Sequence, residues 1–138
     1  MNIQERVRLL GFVNVSQLPG LYKAADLFVL CSVYDQCPLV VPEAMFSGIP
    51  VVLSDAVLGR LDMILEGKTG FSYRCGDIES LAAILGKVLS NPALLEQLKA
   101  AVRRQMESWT MADCLDSWLA AIEIAHRFKP AAGSRSTS

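Results

Sequence analysis

What this sequence lacks narrows its chemistry before any motif is weighed. It has no Gly-x-Gly-x-x-Gly after an apolar run, no Walker loop, no His-Glu-x-x-His and no Gly-x-Ser-x-Gly. A dinucleotide-dependent oxidoreductase therefore ranks behind the readings below. There is a single histidine, His126, which reads as a solvated cation at a helix end, where positive charge is favoured. Cys31, Cys37, Cys75 and Cys114 show no Cys-x-x-Cys spacing. No metal site is expected of them, and they read as reduced thiols packed as small apolar groups. With no signal peptide in view, a cytoplasmic location is expected. The net charge of −1 offers no field for nucleic acid or for an anionic membrane. The longest apolar stretch, 27–53, is broken by Asp35, Pro38, Pro42 and Glu43. No integral membrane segment is expected, which leaves peripheral membrane contact open.

What is present is an alternation of apolar runs and amphipathic stretches. With 138 residues, 52% hydrophobic and 20% charged, the chain can bury one sizeable core. Strands are predicted at 7–13, 27–31, 50–53 and 70–73, the second as a parallel strand buried on both faces. Helices are predicted from a Ser16 cap through Ala25, from Leu39 to Phe46 with a stop at Ser47-Gly48, and near 60–65. Asp77 should cap a helix with an apolar stripe of Ile78, Leu81, Ala82, Leu85, Val88 and Leu89. Asn91-Pro92 should end it and start another, with Leu95, Leu98, Val102 and Met106 facing inward. Thr110 and Asp113 have capping-box spacing ahead of a final helix carrying Leu115, Trp118, Leu119 and Ile122. Tyr22, Trp109 and Trp118 read as packing aromatics. Gly48, Gly59, Gly67 and Gly70 read as turn and cap glycines. The tail 129–138 is expected to be disordered. The whole is an α/β fold around a parallel sheet, with helices at its C-terminal end.

The segment from Cys31 to Ser54, CSVYDQCPLVVPEAMFSGIPVVLS, carries the function. Asp35 follows one apolar run and Glu43 falls in the next helix. In open α/β sheets ligands bind beyond the carboxyl ends of the strands, where both carboxylates would stand. Sugar hydroxyls donate to carboxylates, and amides of a helix start suit phosphate. Two plainer roles stay open. Glu43 could serve only the helix dipole, and Asp35 could serve only a turn.

The same segment resembles the group 1 (GT4-like) retaining glycosyltransferases of the GT-B fold. Asp35-x7-Glu43, Ala44-Met45 and Gly48-Ile49-Pro50-Val51-Val52 match that family's acidic pair and following strand. Upstream lie Leu10-Gly11-Phe12-Val13 and Tyr22-Lys23-Ala24-Ala25-Asp26. Downstream lie Gly59, Asp62, Gly67, Thr69-Gly70 and Gly76-Asp77, in family order. The resemblance implies a partial doubly wound, Rossmann-like sheet over 1–128, the nucleotide-sugar-binding second domain of such an enzyme. It implies Asp35 as the catalytic-site residue on the donor hexose and Glu43 on the ribose diol. Backbone groups of Cys37, Leu39 and Val40 would face the phosphates, and those of Phe12 and Val13 the base. It implies a nucleoside-diphosphate sugar as substrate, with no metal or other cofactor, and hexosyl transfer to a saccharide, lipid or other acceptor. Asp35 and Asp62 each stand where the family has Glu, one methylene shorter, and Pro38 removes an amide.

Against the family's length, this sequence starts just before the third strand of the second domain. An N-terminal acceptor domain is expected as its missing partner, and the fragment alone is expected to be inactive. With strand 7–13 deprived of its neighbours, self-association or direct pairing of 7–13 with 27–31 is expected. The alternative to a transferase is a non-catalytic binding or scaffold module that keeps this fold.

Overall fold

A computed structural model describes residues 3–128. They divide into two compact units, one ending at Gln105 and one beginning at Met106. The predicted tail at 129–138 lies outside the described residues.

The first unit is built on three strands, β1 (Phe28–Leu30), β2 (Val51–Ser54) and β3 (Gly70–Tyr73), in the order β1-β2-β3 and all parallel. Register runs straight across: Val29 stands opposite Val52, which stands opposite Phe71. These side chains belong to one face, and residues one step along point to the other. On the first face, Val52, Phe71 and Tyr73 join Val88 of α4 (Ile78–Leu89) and Leu98 of α5 (Pro92–Glu107) in the main core. The other face receives α2 (Val40–Phe46), whose Val41, Ala44 and Met45 are fully buried. Sheet and helices are thus layered as the alternating pattern requires.

Local signals explain most boundaries. At the end of α2, Gly48 has φ +80°, its amide donates to Met45 O at 2.8 Å, and the Ile49 amide donates to Ala44 O at 3.1 Å. That is a Schellman ending, which needs a left-handed residue and so a glycine. Asp77 Oδ1 accepts the Ser80 amide at 2.9 Å to start α4, and Asn91 Oδ1 accepts the Leu94 amide at 3.0 Å to start α5. α1 (Leu18–Ala24) packs Tyr22 edge-on against Phe28, with ring centroids 6.0 Å apart. α3 (Arg60–Met63) is a single turn between β2 and β3. In the second unit, α6 (Met111–Arg127) opens with a complete Thr110–Asp113 capping box and buries none of its residues among those described.

Several expectations are corrected. Residues 7–13 form no strand and do not pair with 27–31; Leu9 is 95% and Phe12 94% exposed. An apolar run becomes a strand only where a neighbour accepts its backbone hydrogen bonds, and none lies beside this one. β1, an edge strand, is half-buried on both faces, whereas β2 is wholly buried. Ser16 does not cap α1 but lies inside a 3-10 turn, Val15–Gln17, capped by Asn14, whose Oδ1 accepts from the Ser16 amide and hydroxyl at 3.0 Å. Gln17, at the N-cap of α1, makes no side-chain capping bond. On α4, Ile78, Ala82 and Leu89 are exposed, and the packed side includes Leu81, Ile84 and Val88. One helix can turn only one stripe to a sheet. Cys31, Cys37 and Cys114 are exposed and Cys75 is half-buried, because three sit in loops beyond strands and one on the first turn of α6. Trp118 is 66% exposed. Gly70 is no turn glycine: a Cβ there would lie 2.2 Å from Val51 O. No single helix among the described residues is long and apolar enough to cross a membrane.

Candidate functional site

The two acidic residues of the 31–54 segment are held in different ways. Asp35 lies in the loop after β1, and the turn after β2 fastens that loop by its backbone. The Asp35 amide donates to Ala56 O at 3.2 Å, the Leu58 amide donates to Asp35 O at 2.8 Å, and the Gly59 amide donates to Gln36 O at 3.0 Å. Ser54, fully buried, adds a hydroxyl bond to Ser32 O. A Cβ at Gly59 would come within 3.2 Å of Gln36 O and 3.3 Å of Met63 Cε. Gly59 therefore lets two loops approach closely. The Asp35 carboxylate accepts no hydrogen bond among the described residues, so no Asx turn engages it. Its backbone is fixed while its side chain stays available.

Between Asp35 and Glu43 the chain enters α2 without a side-chain cap at Leu39. The Val41 amide donates to Pro38 O and the Glu43 amide to Leu39 O, each at 3.1 Å. The amides of Cys37, Leu39 and Val40 donate to no acceptor among the described residues. All three residues are exposed, Leu39 by 71%. A helix start always leaves orphan donors, and unpaired surface donors are available to an anion.

Glu43 is exposed and takes no backbone amide; its Oε2 accepts from the Tyr22 hydroxyl at 3.0 Å. The pair lines a hollow of about 350 Å³ with Val15, Leu18, Pro19, Phe46 and Ser47. Partial burial raises the Tyr22 phenol pKa above its ordinary value, reinforced by the bond to Glu43 and its negative charge. The phenol is thus held in its donor form. Sequence reading placed Tyr22 among packing aromatics; only the Tyr22-Lys23-Ala24-Ala25-Asp26 motif pointed to it.

Phe12 and Val13 line a separate hollow of about 350 Å³ with Leu10, Gln17, Gly20 and Leu21. The structure does not gather the candidate residues into one cavity: Glu43 stands with Tyr22, Asp35 with the 56–59 turn, and Phe12 with Val13. Asp62 is exposed on α3. A fourth place, missed in the sequence, lies beyond β1 and β3, where Cys31, Tyr73, Cys75 and Asp77 border about 290 Å³. Burial pushes the Tyr73 phenol up to about 12, helped by contact with Cys31. No three His, Cys, Asp or Glu side chains among the described residues are placed to hold a metal ion.

Comparison with known proteins gives this geometry a family. The family model of group 1 glycosyl transferases matches residues 1–105. The Escherichia coli UDP-Gal:alpha-D-GlcNAc-diphosphoundecaprenol alpha-1,3-galactosyltransferase is 33% identical over 94 residues, covering 68% of this chain and 24% of that enzyme. Sucrose-phosphate synthase from Thermosynechococcus elongatus superposes with a TM-score of 0.75 at 28% identity, covering 91% of this chain and 32% of that one. HepE of Anabaena, solved with UDP-glucose, superposes with a TM-score of 0.66 at 26% identity, covering 73% of this chain and 27% of that one. The chain thus spans about a quarter to a third of the length of these relatives. The parallel sheet and its helices are part of a GT-B architecture, and the chain belongs to the group 1 glycosyl transferases.

Proposed function

We propose that this chain supplies the donor-binding side of a hexosyltransferase that uses a nucleoside-diphosphate sugar and retains anomeric configuration. The observation that carries the reading is the row of free amides at Cys37, Leu39 and Val40, which lie in sequence between the acidic residues Asp35 and Glu43. Those amides would take the diphosphate, Asp35 the hexose and Glu43 the ribose diol, with backbone at Phe12 and Val13 toward the base. A carboxylate accepting from a hydroxyl contributes about 1.5–3 kcal/mol. The acceptor, a saccharide or lipid, would be held by a further domain, the reaction would need no metal, and the enzyme would work in the cytoplasm. A related structure holds UDP-glucose, which makes UDP the probe of choice.

The test is calorimetric titration of UDP into the chain and into its Glu43→Gln variant. Affinity should fall about tenfold to a hundredfold, since each 1.4 kcal/mol is tenfold. Equal affinities would remove Glu43 from the site. Asp35→Ala should weaken UDP-glucose far more than UDP; an equal loss of both, with a lower melting temperature, would make Asp35 a structural residue.

The separation of the candidate residues into different hollows favours a second reading, a binding or scaffold module without transfer activity. Saturable UDP binding that depends on Glu43 argues against it; its absence in the protein carrying all its domains argues for it.

A further inference from the structure

We infer that Tyr22 is the positioning residue that sets recognition of the ribose diol, by holding the Glu43 carboxylate in one orientation. The inference rests on the reading of Glu43 given above.

An ionised carboxylate only accepts hydrogen bonds, so the 3.0 Å contact has the Tyr22 hydroxyl donating to Oε2. That bond leaves Oε1 and the remaining lone pairs of Oε2 for a ligand. Glu43 is otherwise an exposed, flexible side chain with no other hydrogen-bond partner for its carboxylate among the described residues. Ordering such a side chain at the moment of binding has an entropic cost. Tyr22 meets that cost beforehand, because its own ring is fixed: it is half-buried on α1 and stacks edge-on against Phe28 of β1. Val15, Leu18, Pro19 and Phe46 line the same hollow with apolar surface and offer the carboxylate no competing hydrogen bond. Acidic Glu43 and polar Ser47 are the other groups on that wall. The arrangement suits two adjacent hydroxyls presented to one oriented carboxylate, as in a ribose cis-diol.

The experiment compares two ligands, UDP and 2′,3′-dideoxyuridine diphosphate, on the wild-type chain, Tyr22→Phe and Glu43→Gln. Tyr22→Phe keeps the ring and its contact with Phe28, so its melting temperature should match the wild type. Its affinity for UDP should fall about threefold to tenfold while that for the dideoxy ligand stays within about twofold. A role confined to stability would leave the ratio of the two affinities unmoved. If Tyr22→Phe leaves that ratio at the wild-type value while Glu43→Gln collapses it, the inference fails and the reading of Glu43 stands. If neither variant changes the ratio, both fail. A measurement without ligand checks the contact itself: alkaline titration of tyrosine absorbance should show the Tyr22 step at lower pH in Glu43→Gln than in wild type. An unchanged step would overturn the inference.

Discussion

Two apolar stretches of this chain meet opposite fates. In Val51–Ser54 every residue is buried, with a strand paired on each side and helices over both faces. In the stretch 7–13, comparably rich in Val, Leu and Phe, no strand forms and Leu9 and Phe12 are almost wholly exposed. Hydrophobicity is common to both; the difference is company. A strand contributes through cross-strand pairs and through area removed from water, and both need neighbours. β2 has two, β1 has one and is half-buried, and 7–13 has none. β3 also has one partner yet is largely buried, because Val88 of α4 and Leu98 of α5 pack over it, so burial follows the covering helices as well as the strand partners.

The sharpest way to break the buried side of this comparison is Gly70→Ala. A Cβ there would sit 2.2 Å from Val51 O and 3.0 Å from Val51 Cγ2, forcing β3 away from β2. The obstacle is backbone, which cannot rotate aside, so the loss should fall in the exceptional class above about 4 kcal/mol. Chemical denaturation would measure it; a loss under about 1 kcal/mol would show that the strands approach less closely. Next, Leu53→Ala and Leu9→Ala make the same truncation in the two stretches. Leu53 is fully buried and should cost about 2–5 kcal/mol.

An alkaline transition should come third. The Tyr73 phenol, buried at the end of β3, is raised from 10.0 to about 12, first by burial and then by its contact with Cys31. A raised value in the fold means that folding favours the protonated phenol. Its stabilisation is complete below pH 10 and is lost as pH rises from about 10 to 12, on the order of 2 kcal/mol in all. Melting temperatures across that range should fall in wild type and fall less in Tyr73→Phe. The smallest effect belongs to Leu9→Ala, within about 0.5 kcal/mol because the side chain is already in water. The same variant tests the expected self-association: light scattering should show less of it than in wild type, and a wild-type chain that stays monomeric would refute the expectation.

Signals confined to a few neighbouring residues were legible. The strand at 70–73, the Asp77 cap, the Asn91-Pro92 break, the Thr110–Asp113 box and the Gly48 ending all appear where the sequence puts them. The caps, the break and the glycine ending each depend on groups within five residues, so local chemistry suffices for them; the strand also needed β2 beside it. The functional segment was legible through its order of motifs, which places an acidic residue in the loop beyond β1 and another on α2. Illegible were the contacts between distant parts of the chain. Nothing local says that Tyr22 bonds Glu43, 21 residues on. Nor does it say that the 56–59 turn clamps the Asp35 loop, or that Gly70 is needed for the approach of Val51 rather than for a turn.

By itself the sequence determined the family and the helix and turn boundaries from Leu39 onward, because helix caps, turn glycines and motif spacing act over one or two turns of chain. Tertiary structure decided which apolar runs are buried, which glycine is irreplaceable and which tyrosine holds a carboxylate. Those outcomes depend on what each residue meets across the sheet, and a partner far along the chain leaves no periodicity in the sequence around it.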